Sequence, residues 1–498
     1  MSYLGLDIGT GGCKAVVFNI EGKELASSFR EYTVLHPHPD WAELNPDEVI
    51  DKCFEAIAEV NAEISDPVVS MSISSQGEAF TPVGRDGRVL GKAMVSSDAR
   101  ARDITADWSK KFGTEKIYHI TGHTPHPLFT LYKILWVKEN LPNIWKYTRY
   151  FLCFEDLFHY RVGLEPKISW SMAGRTMLFD VNRHQWSEEI LGAAGLTAEK
   201  LAMPVAPGEV IGTIGHDMCI KLGFKNPVIL ITGGHDQTCA ALGAGVIEPG
   251  ICMYATGTVE CFCPILDVPS FSPELQRNNL CCYDYTIKGK YTSVAYSLTG
   301  GNILRWMRDE LGQSEIDRAA NTGQNPYTLL LDAMPHAPTE LLVLPYFSAT
   351  GTPYFDTRAK GAIIGLQHTT TKGEITKALL EGVAMEMKLN LQLMENSGMK
   401  INTFIATGGG TRNKTWTQLK ADVLNKKIMV RDVKEAGCYG AALLACSAIE
   451  KIPVEQLLKH SRTANEVFSP NPENAKFYDK KFESYKQLYP LLKQFWKV

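Results

Sequence analysis

Apolar positions along the chain fall into two rhythms: short runs that end on glycines or polar turns, and longer stretches with apolar residues three and four apart. The first rhythm opens the chain. Tyr3-Leu4-Gly5-Leu6-Asp7-Ile8 reads as a strand, Gly9-Thr10-Gly11-Gly12 as a tight turn, and Cys13 to Phe18 as the return strand. With a further turn at Glu21-Gly22, residues 3–30 form a β-meander. The second rhythm follows Asn45-Pro46-Asp47-Glu48, a helix start with capping-box spacing. Val49, Ile50, Cys53, Phe54, Ile57 and Ala58 then share one face. Val68 to Ser74 reads as a buried strand that ends at the polar cluster Ser75-Gln76-Gly77-Glu78. Ser96-Ser97-Asp98-Ala99-Arg100 is another polar turn, and Leu131 to Asn140 is helical.

Near mid-chain, Ile229-Leu230-Ile231-Thr232 runs into Gly233-Gly234-His235-Asp236-Gln237, then into the small residues Thr238 to Gly245. A strand that ends this way, ahead of a tightly packed helix, holds Asp236 at the carboxyl edge of a sheet. Open α/β sheets place their ligands at that edge. An Asp at a helix start is also a common cap.

The pattern then repeats. Ile247-Glu248-Pro249-Gly250 reads as a joint. Ile251 to Thr256 is a strand, Gly257-Thr258 a turn, and Val259 to Phe262 the return strand. Ser297 to Asn302 leads into a helix through Trp306. Thr403 to Thr407 is a strand followed by Gly408-Gly409-Gly410-Thr411-Arg412-Asn413 and a helix, and Glu435 to Ala442 starts another. The chain thus reads as two α/β halves, residues 1–246 and 247–498.

Composition agrees with this division and narrows the chemistry. A length of 498 residues suits two domains, and 45% apolar with 21% charged residues suits soluble globular units with full cores. A formal charge of −4 gives no electrostatic case for nucleic acid or an anionic membrane. The N-terminus lacks the pattern of a signal peptide, and no apolar run approaches the roughly 18 residues needed to span a bilayer. None of the twelve cysteines forms Cys-x-x-Cys. The spacing of Cys261, Cys263, Cys281 and Cys282 matches no common zinc pattern, so they read as reduced, buried thiols of a cytosolic protein. The turn at residues 9–12 offers a nest of backbone N–H groups to phosphate oxygens. Asp7 just before it would repel phosphate unless a cation lay between them, which points to magnesium. An ordinary glycine-rich hairpin is the alternative. Two such hairpins, with a carboxylate at the joint, point to a nucleotide held in an interdomain cleft. No Walker A sequence, usable Gly-x-Gly-x-x-Gly or His-Glu-x-x-His is present.

These stretches resemble the FGGY carbohydrate kinases of the actin-like, hexokinase-like ATPase superfamily. Asp7-Ile8-Gly9-Thr10, Gly233-Gly234-His235-Asp236-Gln237 and Ala406-Thr407-Gly408-Gly409-Gly410 carry the likeness in the family's order. Thr130, Lys133, Trp136 and Asn140 resemble the N-terminal signature, with Leu128 atypical. Gly361 to Leu366, Glu374-Ile375 and Leu380-Glu381 resemble the C-terminal one, from which Leu379 departs. The resemblance implies two ribonuclease-H-like domains with the catalytic cleft between them, ATP and Mg²⁺ as cofactors, and a small sugar or polyol as acceptor.

Carried over by motif, the first phosphate loop spans Asp7 to Lys14, with Thr10, Gly11, Gly12 and Lys14 toward nucleotide. Thr256, Gly257 and Thr258 form the second loop. Gly408, Gly409, Gly410 and Asn413 take the adenosine, and Gly301 and Arg305 also contact nucleotide. Asp236 becomes the catalytic base and, with Asp7, a metal ligand. Gln76, Gly77, Glu78 and Asp98 fall, with Asp236, in the acceptor pocket. There Gly77 stands where glycerol kinases carry Arg and xylulokinases a different loop, and Ser96-Ser97 replace a usual aromatic. The expected activity is phosphorylation of a pentulose such as xylulose, in the cytoplasm, with a homodimer left open. The alternatives are a kinase of glycerol, erythritol or gluconate, a non-kinase actin-like ATPase, or a sugar sensor.

Overall fold

A computed structural model describes all residues except 432, 461–464 and 497–498. Two six-stranded mixed sheets organise it. The first contains β1 (Ser2–Ile8), β2 (Gly12–Asn19), β3 (Glu24–Glu31), β4 (Val68–Ser75), β5 (Val210–Thr213) and β6 (Ile229–His235), in the order β5-β6-β4-β1-β2-β3. The second contains β7 (Gly250–Thr256), β8 (Glu260–Pro264), β9 (Ala295–Ser297), β10 (Ile401–Thr407), β11 (Lys427–Arg431) and β12 (Asn465–Phe468), in the order β9-β8-β7-β10-β11-β12.

The two sheets share one plan. A meander of three antiparallel strands is extended by two parallel strands and closed by an antiparallel edge. This is the duplicated α/β architecture that the two hairpins imply. The first half follows the sequence pattern closely, because alternation and turn glycines fix both the strands and their register. Two local expectations fail. Asn45 precedes helix α1 (Pro46–Glu63), but its side chain makes no capping hydrogen bond. The second return strand begins at Glu260, because Val259 stays in the turn and its carbonyl accepts from Gly257 N.

The halves meet through two helices, α2 (Asp236–Gly243) and α3 (Ala436–Glu450). They cross so closely that a Cβ on Gly440 would lie 1.9 Å from the Cys239 carbonyl oxygen, and one on Gly243 would lie 2.0 Å from that of Ala436. Only hydrogen fits at either position. Although it comes late in the chain, α3 lies on the first sheet. Ser70 Oγ donates to Ala445 O at 3.1 Å, and the rings of Phe18 and Tyr439 are 5.0 Å apart. One apolar cluster therefore draws on both halves, including Tyr3, Val16 and Leu242 with Met253, Tyr439 and Leu444.

Candidate active site

The end of β6 is built to present Asp236. The pairing of β6 with β4 slips between Ile231 and Gly234, which takes Gly233 out of the ladder. Its N–H donates instead to Glu155 at 3.1 Å, and Glu155 also accepts from the Ser169 N–H and hydroxyl. Burial pushes Glu155 up to about 7. The His235 N–H donates to Ser171 Oγ at 3.1 Å. His235, not Asp236, occupies the helix N-cap position, and no side chain caps the helix there. The Asp236 carboxylate is thus free of the capping duty that was the alternative for it.

Asp236 Oδ1 is buried and has no hydrogen-bond partner, although His235 Nε2 stands 3.2 Å away. Burial, then the nearby charges of Asp7 and Glu78, push Asp236 up to about 7. Asp7 accepts from Ser74 Oγ, and burial pushes it up to about 6. Two carboxylates near enough that Asp7 raises the pKa of Asp236, one with an unbonded oxygen, fit Mg²⁺, which needs only one or two protein carboxylates when phosphates complete its shell. Among the described residues, no group of three or more His, Cys, Asp or Glu could hold a metal ion. The twelve cysteines are buried free thiols.

The first hairpin tip is braced from β4. Gln76 Nε2 donates to Gly9 O at 2.8 Å, and Thr10 Oγ1 donates to Gln76 Oε1 at 3.1 Å. Gln76 is spent on the loop it adjoins. Gly11 is exposed at the tip, and Gly12 begins β2. Lys14 pairs with Glu435, just before α3.

The second hairpin borders a cavity of about 610 Å³ lined by Gly257, Thr258, Gly301, Arg305, Gly409, Gly410 and Asn413, with Tyr327, Arg412 and Trp416. Seven of the residues expected to meet nucleotide thus line one space. Thr256 and Gly408 lie behind it, where Thr256 Oγ1 donates to Thr407 O at 2.8 Å. A Cβ on Gly410 would lie 2.9 Å from Thr256 Oγ1, so the glycine loop packs directly on the hairpin. Asn413 also caps the following helix through Trp416 N.

The acceptor residues are used unevenly. Asp98 is buried, and its carboxylate is taken by Arg100 and by the Ala42 N–H, so it holds a loop instead of presenting a free oxygen. Glu78 has a left-handed backbone (φ 62°), and its carbonyl is held by Thr130 Oγ1 and Lys133 Nζ. Its carboxylate pairs with Arg175. Arg175, Tyr283 and His235 surround this point. Burial pushes His235 well below the usual histidine range, and Arg175 adds to that. Sequence reasoning missed Arg175, Tyr283, Glu155 and Glu435. Only His235, adjacent to Asp236, carried a signal.

The two halves converge here. Cys261 pairs with Ala255 next to the tip of the second hairpin, and burial, with the nearby Asp236 charge adding to it, pushes its thiol up.

Known proteins resemble this chain along almost its whole length. The model of the FGGY family of carbohydrate kinases, N-terminal domain, matches residues 2–243, and that of its C-terminal domain matches residues 252–449. The chain is 26% identical over 503 residues to a xylulose kinase of Bacillus subtilis (strain 168), covering 98% of this chain and 97% of that one. Its fold is similar to that of a xyloylose kinase from Brucella ovis, at a TM-score of 0.89 and 25% identity, over 99% of this chain and 100% of that one. It is likewise similar to a gluconate kinase from Lactobacillus acidophilus, at 0.90 and 25%, over 99% and 98%.

Proposed function

The chain belongs to the FGGY family of carbohydrate kinases, and from that premise we propose that it transfers the γ-phosphoryl group of ATP to a pentulose such as xylulose, with Asp236 as general base. The observation that carries this reading is Asp236 itself. It is a carboxylate pushed up to about 7, with one oxygen unbonded, between two halves that each bear a glycine-rich hairpin. A base with a pKa near the working pH combines availability with driving force for proton removal.

In this reading residues 1–246 hold the acceptor and the base, and residues 247–498 hold the nucleotide. The N–H groups of the turns at 9–12 and 256–258 receive phosphate oxygens, and the cavity beside Gly409 and Asn413 receives the nucleoside. Asp236 takes the proton of the attacking hydroxyl, and Glu78 with Arg175 orients the remaining hydroxyls. Asp7 and Asp236 would hold Mg²⁺, which supplies charge neutralisation at the phosphates. Phosphoryl transfer asks the protein mainly for such positioning and charge. Among the described residues no helix is long and apolar enough to cross a membrane, and we place the enzyme in the cytoplasm, where ATP is made and used.

A second reading, a sugar acid such as gluconate, is favoured by the Arg175 cation and by the likeness to a gluconate kinase. The Glu78 carboxylate opposes it by neutralising that cation. Purified protein with MgATP and a panel of pentuloses, polyols and sugar acids, scored for ADP release, decides the matter. Fastest turnover on a pentulose supports the first reading. Turnover on gluconate alone selects the second, and ADP release that no acceptor accelerates removes both.

A further inference from the structure

Position 77 has no side chain, and the space one would take is filled from a different strand. A Cβ on Gly77 would lie 3.0 Å from both Cδ2 and Nε2 of His235, and 3.3 Å from Cγ of Arg175. Contacts of 3.0 Å between carbon atoms are repulsive, so a side chain at 77 requires the His235 ring to give by a few tenths of an ångström. The ring cannot easily give way. His235 is 5% exposed, its backbone N–H is tied to Ser171 Oγ, and its Nδ1 is 2.9 Å from the Tyr283 hydroxyl. Tyr283 comes from the second half of the chain and is fully buried, so the imidazole is gripped from both halves. The remaining ring nitrogen, Nε2, faces the gap at Gly77 and stands 3.2 Å from Asp236 Oδ1. It is therefore a hydrogen-bonding group beside the carboxylate assigned to take the proton.

We propose that His235 is a specificity-determining residue of the acceptor pocket: its imidazole fills the space left by Gly77 and gives the acceptor a hydrogen-bonding edge next to Asp236. The chemistry that suits such an edge is a polyhydroxylated carbon chain, whose hydroxyl beside the reacting one meets Nε2. This deepens the kinase reading and rests on it, because it assumes that the acceptor lies against Asp236. The inference makes Gly77 and His235 a coupled pair, and coupling is measurable independently of either residue's separate effect.

The test uses four full-length proteins: wild type, Gly77→Ala, His235→Ala and the double variant. KM is measured separately for acceptor and for ATP. In wild type background Gly77→Ala should raise the acceptor KM about tenfold or more and leave the ATP KM within about twofold. With His235 already replaced, the same change should move the acceptor KM less than about threefold. His235→Ala alone should weaken acceptor binding and narrow the preference between a pentulose and a bulkier hexulose, while His235→Gln recovers part of the loss. Equal factors in both backgrounds, or an ATP KM that moves with the acceptor KM, would overturn the proposal. If Gly77→Ala does not fold, His235→Ala and His235→Gln decide it alone, and an unchanged acceptor KM in both sinks it. If wild type turns over nothing in the panel, the proposed function fails separately. The coupling is then read from the shift in melting temperature that each sugar produces in the four proteins, and additive shifts, or none, overturn it.

Discussion

Lys14 and Glu435 form an ion pair at the first hairpin, though they stand 421 residues apart in sequence. One belongs to the first phosphate hairpin, and the other precedes the helix that joins the halves. A lysine engaged in this way offers a phosphate a charge already partly neutralised by its carboxylate. Both side chains are about a third exposed, so the pair is weak, worth about 1 kcal/mol or less. Glu435→Gln should therefore lower the KM for ATP by roughly two- to fivefold and leave the acceptor KM alone. A KM for ATP that rises would mean that Lys14 needs Glu435 for its position.

Removing the base should separate binding from chemistry. Asp236→Asn keeps the shape of the side chain, and turnover should fall by at least about a hundredfold while both ligands bind within several-fold. Single-turnover rates with the best acceptor, alongside equilibrium binding, check this. Substantial residual activity would remove Asp236 from the role.

The same substitution should stabilise the fold at alkaline pH. Folding raises the Asp236 pKa from 3.8 to about 7, so the folded state holds this proton more tightly than the unfolded one. Stability from this group is complete below the unfolded value and is lost as pH rises through the folded value. Without Mg²⁺, Asp236→Asn should melt above wild type near pH 8, and the gap should narrow as pH falls below about 7 and close near pH 4. Melting curves across that range test the sign. A gap that widens on acidification would contradict it.

Asp7 is expected to act through the metal. Asp7→Asn should raise the magnesium concentration needed for half-maximal rate and leave acceptor affinity nearly intact. Titration of magnesium at saturating ATP gives the answer. Unchanged magnesium dependence with lost acceptor affinity would place Asp7 elsewhere in the reaction.

Glu78 should matter to the acceptor alone. Its loss removes a charged hydrogen-bond acceptor and strands Arg175, a change of about 1.5–3 kcal/mol, or roughly ten- to hundredfold in acceptor KM. ATP affinity should hold. An equal fall in both affinities would mark a folding defect, which a melting curve would show.

The residues legible in the sequence are those whose signal is local. Glycines at 9, 11, 12, 257 and 408–410 mark turns because few other residues make them, and Asp236 stands out because it starts a helix directly after a strand. The acceptor pocket was less legible because its partners are distant in sequence. Glu78 gives no sign that Arg175 will neutralise it, and Asp98 none that both its oxygens will be taken by Arg100 and the Ala42 N–H. Tyr283 reaches His235 from 48 residues away, through a segment with no pattern of its own. The capping expectation at Asn45 failed for a related reason: a capping-box spacing permits the hydrogen bond but does not enforce the rotamer.

The helix Ala436–Glu450 has a consequence for how the protein is made. It covers β1 and β4, which are among the first segments to leave the ribosome. Domains fold largely as they emerge, N-terminal parts first. Here the first sheet waits for its cover until most of the chain has been translated, with residues such as Tyr3 and Val16 still uncovered by it. A nascent chain arrested before residue 436 should bind chaperones and be cut readily by protease, and one arrested far enough beyond residue 450 for that helix to emerge should resist. The first half is thus encoded early and completed late, so translation speed through the second half sets how long it stays exposed.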